Sequence, residues 1–181
     1  MKGWIRSAVS LIDSGESSAG RFIFLFIRIF RRKNPAASKT LFQARACGLF
    51  EWRKNPKGRL AEIIVLDQFS RNIYRGLPES FIADPQALTL AQEAVVGDHD
   101  ELDHLEKAFL YMPFMHSESL LIQDQSVRLF ENLGNQNNLD YAIKHREVIQ
   151  RFGRFPHRNS ILGRPSSVEE TEFLKQPGSS F

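Results

Sequence analysis

The stretch KGRLAEIIVLDQFSRNIYRG, residues 57–76, places Leu60, Ile63, Ile64, Leu66 and Phe69 at helical spacing. The apolar face they make is wider than the single stripe of a surface helix. A helix of this kind must be covered by neighbours on more than one side. The spacing predicts a central helix over about 57–74, so the chain must supply other helices to surround it.

The remaining sequence supplies them. WIRSAVSLI and residues 21–33 read as helical, Asn34-Pro35 as a break, and residues 37–50 as a helix carrying Leu41, Ala44 and Cys47. RKNPKG is a turn or helix start. Asp84-Pro85 predicts an N-cap and first position, with Leu88, Ala91 and Val95 following until Gly97. Residues 102–112 form the next helix, which Pro113 breaks or kinks. Ser117 to Leu133 follows, with Ser117 as its cap. Residues 138–152 come next, and Ser167 to Glu170 has the spacing of a capping box. No convincing strand alternation interrupts this series, so the fold class is all-α, built of antiparallel helix pairs in one domain.

At 181 residues the chain can bury a core without a metal or disulfide staple. Its single cysteine, Cys47, excludes an intrachain disulfide and suits a reducing, cytoplasmic compartment. Net charge is +3, but residues 1–59 hold 13 Lys and Arg against 3 Asp and Glu, and the remainder 11 against 18. The basic third suits either phosphates, an anionic membrane surface or the acidic remainder of the same fold. The run FIFLFIRIF, residues 22–30, is about half the length a spanning helix needs and carries Arg28. It is expected to pack against the rest of the protein; residues 21–33 are the one segment suited to membrane-surface contact.

Four blocks of sequence together point further: KGRLAEIIVLDQFSRNIYRG (57–76), FLYMPFMHSES (109–119), YAIKHREVIQRFGRFPHRNSILGR (141–164) and EETEFLKQPGSSF (169–181). In this order they resemble the bacterial domain-of-unknown-function family 924, a helical family of TPR-like fold. The resemblance runs from about residue 42 to the C-terminus. It implies a TPR-like fold over 42–181 and assigns no activity. Residues 1–41 lack the aromatic opening of that family and are expected to form a divergent, basic extension or first helices.

Standard catalytic signatures are absent: no G-x-S-x-G, P-loop, G-x-G-x-x-G, H-E-x-x-H or paired C-x-x-C is present. The candidates are polar residues in three groups. In LDQFSRN, Asp67 and Arg71 share a helix face, Arg75 lies about one turn on, and Asn72 points elsewhere. They make either a helix ion pair or a ligand-orienting set. In MPFMHSES, His116 and Glu118 make either an acid/base pair or a structural hydrogen bond. No other histidine stands at ligand spacing from His116, so no metal or other cofactor is expected.

The third group is RFGRFPHRNSILGR, residues 151–164, with Arg151, Arg154, His157, Arg158, Asn159 and Arg164 and no acidic residue. Phe152 and Phe155 are expected to plug the core and draw the adjacent guanidiniums into a partly dry setting, where a charge must be paired. The stretch is expected to bring at least two of Arg151, Arg154, His157 and Arg158 near Asp67 or Glu118, with Asp124 as a further internal carboxylate. Arginine forks suit carboxylate or phosphate equally, so this is either an internal network or a loop that holds an anion. Nucleic acid fits poorly, because the C-terminal two thirds is net acidic. Two functions stay open: a binding module for a peptide or small anionic ligand, and a small-molecule hydrolase or transferase using His116 or His157 as acid/base.

Overall fold

The computed structural model describes residues 35–97 and 99–180. The expectations for residues 1–34, the apolar run 22–30 among them, fall outside the described residues. All regular structure among the described residues is helical. By contact the chain divides into two units, here residues 35–75 with 79–113, and residues 76–78 with 114–180.

Unit 1 opens with α1, Pro35–Arg45. Pro35 begins this helix, because its fixed φ suits a first turn whose N–H groups have no helical partner. Leu41 and Ala44 are buried on its inner face. The helix stops short of the expected residue 50. Cys47 turns into the left-handed region at φ 57, and the Gly48 N–H donates back to the Gln43 carbonyl at 2.8 Å. A 3-10 turn, Phe50–Lys54, leads to Asn55, whose side chain accepts the Gly58 N–H at 2.8 Å. A Cβ at position 58 would lie 2.0 Å from the Trp52 carbonyl oxygen, so only glycine lets this turn meet the helix.

Helix α2 starts as Pro56–Ile64, widens into a π-helical turn at Val65–Phe69, and ends as Ser70–Ile73. Leu60, Ile63, Leu66 and Phe69 are all buried. It is covered by α1, the Phe50–Lys54 turn and α3, Asp84–Val96, which accounts for its broad apolar face. Asp84 is not the N-cap: Ala83 takes that place, and the Asp84 carboxylate turns to Arg71. Helix α4, His104–Met115, begins with a reciprocal pair, in which the Asp103 N–H donates to Glu106 and the Glu106 N–H to Asp103. Pro113 lies inside it without ending it, and the unit boundary falls there.

Unit 2 is built on two packed helices, α5, Leu120–Leu133, and α6, Gln136–Phe152. Gly134, at φ 75, ends α5, and Asn135 caps α6 at once, so the two helices form a tight hairpin. Asp124 of α5 accepts from Arg146 of α6 at 2.6 Å. Phe155, Val148 and Ile149 form an apolar core with Phe152 and Phe173 against it. The expected capping box is present at α7, Val168–Phe173: Ser167 and Glu170 each accept the other's backbone N–H. Ser117 caps no helix. Its hydroxyl accepts the Ser119 N–H in the turn before α5, and Ser119 holds the N-cap position.

Candidate functional site

The sequence candidates separate into two groups, one in each unit. In unit 1 the π turn carries Asp67 with its side chain buried among helices. Arg71 pairs with Asp67 at 2.8 Å and closes bidentately on Asp84 at 2.8 and 2.9 Å. Gln68 donates to the other Asp67 oxygen at 2.6 Å. Burial works against the Arg71 charge, but Asp67 and then Asp84 outweigh it and hold the guanidinium more firmly protonated than usual. This is a buried bridge, where sequence spacing alone also allowed an exposed helix pair. Asn72 turns back to donate to the Gln68 carbonyl, and exposed Arg75 donates to the Asn72 side chain at 3.3 Å.

In unit 2 the arginines of 151–164 are largely spent on the chain's own carboxylates, though not all on those the sequence suggested. Arg151 donates twice to Glu169, at 2.9 and 2.8 Å. Arg154 closes on both oxygens of Glu170, at 2.7 and 2.8 Å. These partners come from α7, whose capping box turns Glu170 inward within reach of Arg154. The bonds from Arg154 are the main reason that the Glu170 carboxyl is lowered to about 2. Arg164 takes Glu118, and Asp124 goes to Arg146. Arg154 and Arg158 still feel the Glu118 charge.

Glu118 is half-buried. Burial pushes its carboxyl up, but Arg164, bonded at 2.7 and 3.0 Å, and the Phe155 N–H at 2.8 Å hold it below its ordinary range. Arg164 also donates to the Asn159 side chain at 3.1 Å, and Asn159, fully buried, donates to Ser166. Asn159 therefore stiffens the loop from within.

The segment after α4 has three successive carbonyls pointing out of a helix end, where acceptors lack helical partners. Gln123, fully buried on α5, donates to the Met115 and Ser117 carbonyls, each at 2.7 Å. Arg158 donates to the His116 carbonyl between them at 2.9 Å, a cation at the negative end of a helix. Its guanidinium stacks 4.5 Å from the Phe155 ring centre.

Two imidazoles pack on Phe155, and a third, His116, lies beside one of them. His145 lies 5.6 Å from Phe155 and 6.4 Å from His116, and His157 lies 5.5 Å from Phe155. His145 is buried, with Nδ1 placed 2.7 Å from the Tyr141 carbonyl; His116 and His157 are half-buried. Burial is the main cause that lowers His145 to about 3 and His157 to about 4. Arg158 and the neighbouring imidazoles push in the same direction. Near neutral pH His145 and His157 are uncharged imidazoles beside one buried guanidinium, with Glu118 at its side.

The structure thus brings together His116, Glu118, His157, Arg158 and Asn159. Arg151 and Arg154 lie outward on α7's carboxylates, and Asp67, Arg71, Asn72 and Arg75 form a separate group in unit 1. His145 and Gln123 were missed. The signal for both was a polar residue at an inward helical position, His145 between Ala142 and Ile149, and Gln123 in register with Ser126 and Phe130. Among the described residues no group of three or more His, Cys, Asp or Glu is arranged to hold a metal ion, and no helix is long and apolar enough to cross a membrane.

Among curated proteins none matches this chain. A solved structure of a protein of unknown function, ATU0120 from Agrobacterium tumefaciens, is similar to it, with 35% sequence identity and a TM-score of 0.74 over 77% of this chain and 80% of that chain. The model of a family described as bacterial protein of unknown function (DUF924) matches residues 31–178, and the chain belongs to that family.

Proposed function

We propose that unit 2 is a binding module for a ligand bearing a small oxyanion, with His116, His157 and Arg158 as the contacting groups and His145 behind them. The observation that supports this reading is that His145, His157 and the buried Arg158 guanidinium pack on Phe155, with His116 beside His145. Imidazole and guanidinium N–H groups are the donors that carboxylate and phosphate oxygens require. A free metabolite and the acidic end of a peptide present the same group. The architecture we read with it is TPR-like, on the support of the tight α5–α6 hairpin, and a reducing cytoplasm suits the free, exposed Cys47.

Thermal melts with added sulfate or acetate test the reading, and the two anions separate tetrahedral from planar oxyanions. The expected result is an upward shift that saturates with anion and is lost in His157→Ala. Arg75→Ala, exposed in unit 1, should keep it. A shift that persists in His157→Ala, or none in the wild type, removes the site.

A second reading has its own support. Neutral His157 beside Arg158 and Glu118 is in the protonation state that a general base needs. Under this reading the protein is a small-molecule hydrolase or transferase with His157 or His116 as acid/base. Turnover of a bound ester or phosphoester, lost in His157→Gln while binding remains, distinguishes it from a binding module.

A further inference from the structure

We infer that binding of an oxyanion in unit 2 takes up a proton from solution onto His157, so that the site captures the anion and a proton together. This rests on the oxyanion-binding reading above. The geometry that carries it is the crowding of like groups around one half-buried ring.

His157 and Arg158, of the 3-10 turn Pro156–Arg158, both pack on the Phe155 ring, and His157 also feels the charges of His116 and Glu118 from the segment after α4 and of Arg164 from the following loop. His145, from α6, shares Phe155 with it and feels its charge. A proton on His157 would meet two guanidiniums and two imidazoles. The opposing carboxylate, Glu118, is already engaged by Arg164 and the Phe155 N–H. Burial acts in the same direction, so the ring stays neutral near neutral pH.

An oxyanion among these rings changes the nearest charge from positive to negative. That favours imidazolium over imidazole and supplies an acceptor for a charge-assisted bond. His157 is the ring best placed to respond. His145 is buried and its Nδ1 lies against the Tyr141 carbonyl, whereas His157 is half-buried and can exchange a proton with solvent. Linkage then fixes the sign. A ligand that raises proton affinity binds more tightly as pH falls, by up to about tenfold per pH unit between the free and bound midpoints of the ring.

Sulfate is the probe, because it keeps its charge throughout the neutral and mildly acidic range. Calorimetric titration of the full chain at about pH 6, in two buffers of different ionisation enthalpy, reads the protons exchanged. The expected outcome is net uptake and an affinity that rises as the pH is lowered. In His157→Gln, which keeps a hydrogen-bonding group but cannot titrate, sulfate should bind more weakly at low pH, with the uptake and the pH dependence both lost. As a check on the unmutated chain, the Cε1–H signal of His157 should titrate at a higher pH with sulfate than without. Binding without uptake, uptake unchanged in His157→Gln, or an unmoved His157 midpoint overturns the proton inference and leaves the anion site standing. No sulfate binding at any pH overturns both.

Discussion

Arg164 reaches back 46 positions to Glu118 and closes on both carboxylate oxygens, while the Phe155 N–H enters the same group. One side chain of the turn before α5 thus fixes both ends of the loop that carries His157 and Arg158. Each partner is about a quarter exposed, so the pair is neither dry nor freely solvated. Arg164→Ala should therefore cost about 2–3 kcal/mol, below the full penalty for a dry, orphaned carboxylate. Arg164→Lys should recover little, because an ammonium cannot make the fork. Urea unfolding of the three proteins measures this, and a loss below about 0.5 kcal/mol would place the pair among ordinary surface bridges.

The bridge in unit 1 should be more sensitive. Arg71 serves Asp67, which is almost fully buried, and Asp84 together. Arg71→Ala leaves two neighbouring carboxylates without it and should lower stability by about 3–5 kcal/mol. Arg75→Ala, four residues on and exposed, should stay within about 0.5 kcal/mol. Comparable losses from both would refute the separation of these two arginines.

Acid should weaken the protein in two stages. In the unfolded chain a histidine takes its proton near 6.5, but folding lowers His157 to about 4 and His145 to about 3. Between those values the unfolded state binds more protons. The contribution of each ring is thus whole above pH 6.5 and declines as pH falls, by at most about 1.4 kcal/mol per pH unit per ring. Glu170, lowered from 4.5 to about 2 chiefly by Arg154, contributes stability that is present above 4.5 and lost as pH falls to about 2. Denaturation midpoints across this range should begin to fall near pH 6, and His157→Gln should flatten the first stage. A flat profile down to pH 4.5 in the wild type would contradict the assignment.

Two fully buried polar residues on α5 should respond in opposite ways. Gln123 holds the Met115 and Ser117 carbonyls, so Gln123→Ala loses two bonds and opens a cavity, at a cost of about 2–4 kcal/mol. The Ser126 hydroxyl has no hydrogen-bond partner among the described residues. Ser126→Ala should be neutral or stabilise by up to about 1 kcal/mol. Urea unfolding of both variants checks this, and equal losses would mean that the hydroxyl is engaged.

The helical frame was legible because periodicity and capping act locally. Asn55-Pro56 and Ser167 with Glu170 mark helix starts through groups within three residues of one another. The same rule holds at Asp103 and Glu106, and it fails at Asp84, where a distant guanidinium outcompetes the local N–H groups. The site was legible by residue type but not by pairing. Glu118, His157, Arg158 and Asn159 stood out as polar groups among aromatics. Whether Arg154 would choose Asp67, Glu118 or Glu170 depended on loop geometry that has no period. His145 and Gln123 face inward on helices whose apolar residues drew the eye, and their roles emerge only with the carbonyls and rings that meet them.

The π turn at Val65–Phe69 carries a consequence for how relatives of this chain can be aligned. A π turn accommodates one more residue than the α-helical ladder around it, and each residue turns a helix by about 100°. A relative with one residue fewer between 65 and 69 could form an unbroken α-helix and keep everything downstream in the same phase, because the wide turn absorbs the extra residue. Arg71 would still meet Asp84, and the residue lost would come out of the turn itself. A gap of a single position there can therefore leave the wiring of unit 1 intact. A gap at 165–167, though exposed, would take Ser166 from Asn159 and Ser167 from the capping box of α7.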